Sequence, residues 1–496
     1  MHSLFRLFLV TVLVLAFVLL PSQHHTSSPF SSNVYAAVSK PQLNKGPIIN
    51  DHHLGAEIVF KGGLNFPSSM AFLGPNDILV LEKNNGTVQR IVNGKMLPQP
   101  LLDVDVTNQG ERGMLGIAIA KNSTRHATYV FLFYTESGGG KTADDFYEGI
   151  PPSGNRLYRY ELVNNKLVNP KLLLSLPAIP SNATSPETSR HNGGKVVIGP
   201  DNNVYVVIGD VGRHRGQAQN VASGAPLDGS SGILRVTQDG QAVKDNPFAN
   251  EATKGQQQGS SEGDRSHILE TTLEGGQRVG EGNISTPATA SSSSYNNTTN
   301  ALSQYYYAYG IRNSFGIDFD PISKKLWDTE NGPTFGDEIN LVQPGFNSGW
   351  VQVQGIWTVQ GSLKKGPVNP NPSANLVDFG GMGKYRAPEF IWTKPIAPTA
   401  IKFLNSEKLG SQYQNDMFVG DIKNGNLYHF KLNQDRTGLV LNGTLSNKIA
   451  NTPSDSQPII FASGFDEGIT DLQVGPDGYL YVLAYAGSIY RIVPSS

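Results

Sequence analysis

The chain has 496 residues, a formal net charge of −2 and no cysteine. That balance implies no nucleic-acid or anionic-membrane partner, and the missing thiol excludes structural disulfides, cysteine-ligated zinc and a thiol nucleophile. Charged residues make up only 16 % of the chain, against 54 glycines and 31 prolines, which suits an all-β protein with many turns.

Residues 1–40 read as a signal peptide, or as an N-terminal anchor with its linker. Arg6 supplies a positive flank, Leu7 to Leu20 is an apolar stretch of secretory length, and Ala36 and Ala37 offer small residues for cleavage. Either way the body is expected to be secreted or extracytoplasmic, and held at a membrane if the segment is retained. Sequons at Asn85, Asn122, Asn182, Asn283, Asn296, Asn297 and Asn442 agree with export, although asparagine-rich loops also produce them by chance.

Beyond Lys40 one theme recurs: an apolar strand, a Gly/Pro/Asn/Asp turn, a second strand, then a third ending in an aromatic or basic residue. Copies start near Met70, Leu115, Lys195, Phe315, Ala400 and Ile469. Self-similar antiparallel units of this size predict a six-bladed β-propeller over residues 56–493, each blade burying its faces against its neighbours. The strand Glu57 to Phe60 is expected to join the last blade. Asp144 to Gly154 reads as a loop within the second unit. Residues 250–303 are polar and of low complexity; they are expected to form a surface insertion between the third and fourth blades. No helix of note is expected in the body.

The run from Ser189 to Gly212, SRHNGGKVVIGPDNNVYVVIGDVG, carries the clearest chemistry. Two short strands flank the turn Gly199-Pro200-Asp201-Asn202-Asn203, a strong hairpin signal. Such a hairpin returns its ends to one edge, where His191 and Asp210 meet. An imidazole held by a carboxylate is a general base; the bland alternative is a turn-capping aspartate and a partly buried histidine. Three further runs follow strands at equivalent places and are expected at the same mouth: Gly110 to Gly116, Tyr309 to Gly316 with Thr329 to Asn340, and Gly420 to Gly425. Arg213, His214 and Arg215 read as solvated loop residues.

Together these runs resemble the glucose/sorbosone dehydrogenase family, the soluble PQQ-dependent sugar dehydrogenases, from about Gly62 to Val493. The pieces that carry the resemblance are H-N-G-G-K-V-V-I-G-P-D with I-G-D-V-G, then G-I-R-N-S-F-G, then E-N-G-P and D-E-I-N. The resemblance implies a six-bladed propeller with quinone and sugar at the top of its axis. It implies that His191 is the base for the anomeric hydroxyl, oriented by Asp210, and that Arg312 and Asn313 face the reactive quinone carbonyl. A guanidinium there suits the negative charge that builds on that oxygen. Lys423 matches a cofactor contact, and Gly332 and Pro333 match the loop whose carbonyls bind calcium, a Lewis acid beside the quinone. Electrons would pass to an external acceptor of cytochrome or quinone type.

The departures concern charge. The family's arginine pair before the last blade is replaced by Phe465-Asp466-Glu467-Gly468, its acidic residue before the base is Arg190, and a glutamine near the quinone is Glu111, followed by Arg112. Arg112 and Arg190 are candidates to restore the lost cations, with Glu111 available to pair with one of them. Two other readings stay open: a calcium-dependent propeller lactonase or esterase, and a propeller without catalysis that binds glycans or proteins.

Overall fold

The computed structural model describes residues 46–122, 124–139, 150–179, 189–212, 218–220, 226–249 and 302–495. The N-terminal segment, residues 250–301 of the polar stretch, Arg213 to Arg215 and the sequons at Asn182, Asn283, Asn296 and Asn297 lie outside the described residues. Regular structure is almost entirely β-strand, with helices limited to short 3-10 turns among the described residues. None of these is long and apolar enough to cross a membrane.

Six mainly antiparallel sheets follow one another along the chain. Their first strands are Pro67–Gly74, Met114–Asn122, Val196–Ile198, Ser314–Phe319, Pro398–Phe403 and Ile469–Val474. Each first strand hairpins into a second: Asp77–Glu82, Ala127–Glu136, Val204–Ile208, Leu326–Glu330, Met417–Asp421 and Leu480–Ala484. These correspond to the six copies seen in the sequence. The strand containing Glu57 to Phe60 does join the last sheet, where Leu54–Phe60 pairs antiparallel with Ile489–Pro494. A three-stranded sheet, Val353–Gln354, Trp357–Gln360 and Lys364–Val368, had no counterpart in the repeat pattern.

The second strands carry no polar alternation because both of their faces are covered. Val204–Ile208 is buried at every position. Its side chains still sort with a period of two: Val204, Val206 and Ile208 join Phe131 and Leu157 of the second sheet, while Tyr205 and Val207 join Ile317 and Leu326 of the fourth. Every other gap is filled in the same way. Leu79 packs with Leu132 between the first and second sheets, Trp327 with Val419 between the fourth and fifth, and Phe418 with Val482 between the fifth and sixth. Leu483 of the sixth sheet packs with Val80 of the first. The first strand of each sheet borders that of the next, and Ile469–Val474 borders Pro67–Gly74. Lys195, Asp471 and Ser69 tie the third, sixth and first sheets: the Lys195 ammonium pairs with Asp471, whose other oxygen accepts from Ser69 Oγ at 2.8 Å.

The turns repeat as well as the strands. Asp201 accepts from Tyr205 Oη at 3.0 Å and from Arg235 Nη2 at 2.6 Å. In the sixth sheet Asp477 accepts from Tyr481 Oη and Arg491 Nη1, both at 2.8 Å.

The long polar stretch corrects one expectation. The strand Tyr306–Tyr309, which follows it, pairs with Gly232–Val236 inside the third sheet. The insertion therefore falls between the third and fourth strands of the third sheet, not between consecutive sheets. Strand pairing is indifferent to the length of an intervening loop, whose closure entropy grows only slowly.

Candidate active site at one end of the sheets

Glu111 and Arg112 precede the first strand of their sheet, as do His191, Arg312 and Asn313, while Asp210, Gly332 and Lys423 follow second strands. In an antiparallel hairpin the start of one strand and the end of the next lie at the same edge. All the candidate residues therefore sit at one end of the sheets.

His191 lies in the left-handed region at φ +60°, followed by Gly193 and Gly194 at φ +60° and +113°. A Cβ on Gly194 would stand 2.6 Å from Leu115 Cβ, so this close approach requires glycine. The turn buries the imidazole at 3 % exposure and sets Nδ1 2.5 Å from Asp210 Oδ1. Asp210 Oδ2 accepts from Trp350 Nε1 at 2.7 Å, so both carboxylate oxygens are fixed. Burial, and then the nearby Arg312 charge, push the His191 pKa below its ordinary value, against the pull of Asp210. The ring is thus neutral near pH 7, with Nδ1–H donating to Asp210 Oδ1 and Nε2 left as the basic atom.

Arg312 is held from several sides. Its backbone N–H donates to Glu330 Oε1 at 2.8 Å and its carbonyl accepts from Asp210 N at 2.9 Å. Its guanidinium lies 5.3 Å from the Trp350 ring centroid, and Nη1 donates to the carbonyls of Asn331 at 2.6 Å and Gly332 at 2.9 Å. Glu330 also accepts from Ser348 Oγ at 2.5 Å, and burial pushes its pKa up to about 7. The loop carbonyls of Asn331 and Gly332 are thus both satisfied by a cation of the same chain. Beneath them Asp337 accepts from Gly332 N at 2.8 Å, Ile396 N at 2.7 Å and Ala397 N at 2.8 Å. Burial raises Asp337 to about 6, with those three donors opposing it. Pro333 is half-buried in the same loop.

Glu111 joins the second sheet to the third and fourth. Its Oε2 accepts from His191 N at 2.6 Å and from Asn313 Nδ2 at 3.1 Å. The Oδ1 of Asn313 is buried and has no hydrogen-bond partner among the described residues. Arg112 is fully buried, and its Nη2 donates to Ala178 O at 3.0 Å. Arg190 is half-buried. Lys423 is exposed, with Nζ donating to Pro395 O at 2.8 Å, and lines a cavity of about 220 Å³ between the fourth and fifth sheets. A larger cavity of about 460 Å³, bordered by Phe72, Phe319 and Phe403, lies at the opposite ends of the first strands and includes none of these residues. In the stretch lacking the arginine pair, Asp466 accepts from Tyr490 Oη at 2.5 Å, and Glu467 is exposed at φ +57°.

The structure thus joins His191, Asp210, Glu111, Asn313, Arg312 and Gly332 in one hydrogen-bonded network, with Lys423 beside it through the Pro395 to Ala397 segment. Trp350 and Ser348 were not singled out from the sequence, and Glu330 entered only as the first residue of E-N-G-P, with no role assigned. The run GFNSGW shows a tryptophan among turn residues, but nothing local pairs it with an aspartate 140 residues away.

A model of the family described as glucose/sorbosone dehydrogenase matches residues 64–268 and 283–491. The chain is 25 % identical over 441 residues to the aldose sugar dehydrogenase YliI of Escherichia coli, covering 88 % of this chain and 92 % of that protein. It is 27 % identical over 318 residues to quinoprotein glucose dehydrogenase B of Acinetobacter calcoaceticus, covering 60 % of this chain and 52 % of that protein. Its fold is similar to the PQQ-bound aldose sugar dehydrogenase of Streptomyces coelicolor, with TM-score 0.55 at 18 % identity over 89 % of this chain and 98 % of that one. With matches along most of its length, the chain belongs to the glucose/sorbosone dehydrogenase family.

Proposed function

We propose that this protein is an extracytoplasmic, PQQ- and calcium-dependent quinoprotein that oxidises aldose sugars at the anomeric carbon to lactones, built on a six-bladed β-propeller. The observation that carries the reading is the buried His191–Asp210 pair at 2.5 Å, with Nε2 free to take a proton and Arg312 alongside. Six sheets whose gaps are filled in cyclic order support six blades. The named activities of the relatives support the substrate class.

The residues present fit the reactive end of such a cofactor. Arg312 and the Asn313 amide oxygen, which has no hydrogen-bond partner among the described residues, offer polar contacts, and the carbonyls of Gly332 and Pro333 would hold calcium once the Arg312 guanidinium gives up its bond to Gly332 O. PQQ, when bound, would supply the two-electron acceptor, with calcium polarising its carbonyls. The protein's own part is proton transfer and charge. His191 Nε2 takes the anomeric hydroxyl proton as the C–H hydride departs, leaving the lactone C=O. Asp210 holds the tautomer and stabilises the imidazolium, and the Arg312 guanidinium faces the negative charge that develops on the acceptor side. Arg112, Arg190 and Lys423 lie within or beside the runs that the resemblance assigns to the cofactor, and an external acceptor of cytochrome or quinone type would reoxidise the site.

Purified apoprotein titrated with PQQ and calcium should develop a bound-quinone spectrum and then reduce a dye when an aldose is added. His191→Ala should cut that turnover by about 10²–10⁴-fold, the usual worth of a general base, while PQQ affinity stays near wild type. Absence of PQQ binding, or turnover that survives in His191→Ala, would overturn the proposal.

A further inference from the structure

One cation that the sequence did not single out reaches the site from behind. Lys83 follows Asp77–Glu82, the second strand of the first sheet, and extends under the turn that carries Glu111. Its Nζ donates to the carbonyls of Asn108 at 3.0 Å, Gly110 at 3.1 Å and Arg112 at 2.9 Å. An ammonium has three N–H donors, so all three are used on one loop. The same residue's carbonyl accepts from Met114 N at 2.9 Å, where the second sheet begins. On its other side the loop is tied to the third sheet, with Glu111 N donating to Ser189 O at 2.9 Å.

We infer that Lys83 is a positioning residue: by gathering three carbonyls of residues 108–112 it sets the Glu111 carboxylate, and through it the His191 backbone and the Asn313 amide. The inference rests on the reading of His191 as the base. The hydrogen-bonded path is continuous, from Lys83 to the loop, then from Glu111 Oε2 to His191 N at 2.6 Å and Asn313 Nδ2 at 3.1 Å. It crosses from the first sheet to the fourth. His191 stands at a positive φ, so its ring direction depends on how firmly its backbone is held. Desolvation of the Lys83 ammonium pushes its pKa down to about 8, with the charge of Glu111 opposing that shift. Above that pH a neutral amine keeps two donors, and one carbonyl loses its partner.

The test compares wild type, Lys83→Met and Lys83→Arg as full chains. Hydrogen exchange of the apoprotein, followed by mass spectrometry and corrected for intrinsic rates, reads the peptide containing His191. Wild type should lose protection there as pH rises through about 8, the value to which burial brings Lys83. Lys83→Met should be less protected already at pH 7 and show no such step. After loading with PQQ and calcium, Lys83→Met should lose about 10–100-fold in kcat, the scale of a base displaced by roughly 1 Å, with little change in KM. Lys83→Arg should fall between the two. Lys83→Met with wild-type kcat and His191 protection, even if its Tm is lower, would overturn the inference. If Lys83→Met does not fold, Lys83→Gln carries the same two readouts, and wild-type kcat and His191 protection in that variant overturn the inference instead. Loaded wild type that oxidises no aldose would sink the proposed function, and the exchange arm would still decide what Lys83 holds.

Discussion

At the scale of single residues the site is organised by burial more than by exposed charge. Asp210 is fully buried, yet both of its oxygens are used, one by His191 and one by Trp350. His191 has its pKa lowered chiefly by desolvation, which fixes two signs. The acidic limb of kcat/KM should lie below the ordinary imidazole value of about 6.5, and a limb found above it would contradict the assignment of the base. For stability, the unfolded chain binds a proton that the folded ring refuses. The contribution is therefore neutral above about 6.5 and turns destabilising as pH falls from there through the folded pKa. Urea midpoints measured from pH 7 to 5 should fall less steeply in His191→Ala than in wild type. The sequence made His191 and Asp210 legible because a hairpin joins them. It hid Trp350 and Lys83 because their partners arrive from other sheets.

At the scale of elements, the turns that deliver these side chains are tightly specified. Gly194 combines φ +113° with a Cβ position 2.6 Å from Leu115 Cβ. Gly194→Ala should therefore cost about 1–3 kcal/mol, the range for a strained backbone position, and displace His191 at the same time. Gly74→Ala, where a Cβ meets nothing within 4 Å, should stay within about 0.5 kcal/mol. Denaturant unfolding of the pair checks the contrast, and equal losses would mean that the close approach carries no cost. The two leading strands of each sheet were readable from β-branched runs broken by Gly-Pro-Asp and similar turns. Outer strands such as Phe390–Trp392 and Ile460–Ser463 were not. They are short, and what pairs them is an edge made available by the fold, which no local period records.

At the scale of the whole molecule, the chain is held by gaps filled in sequence and by a few polar ties across them. One of these is the buried tie formed by Lys195, Asp471 and Ser69. Asp471→Ala leaves an ammonium buried without its partner and should cost about 3–5 kcal/mol. Lys195→Met with Asp471→Leu should recover most of that loss. A single substitution costing under about 1 kcal/mol would show that the pair is solvated. The repeat was legible because the strand–turn–strand theme recurs from Met70, Leu115, Lys195, Phe315, Ala400 and Ile469, and the turns at Asp201 and Asp477 hold alike a tyrosine and an arginine. The position of the polar insertion was not, since only pairing assigns Tyr306–Tyr309 to its sheet. The clasp between Leu54–Phe60 and Ile489–Pro494 also governs the order of events during synthesis. Glu57 and Arg491, which meet in that clasp, are 434 positions apart. The Leu54–Phe60 strand must therefore wait, with its edge unpaired, until Ile489–Pro494 has been made. Throughout that interval the nascent protein carries a sticky edge and an open apolar gap, which leaves it prone to aggregation until the clasp closes.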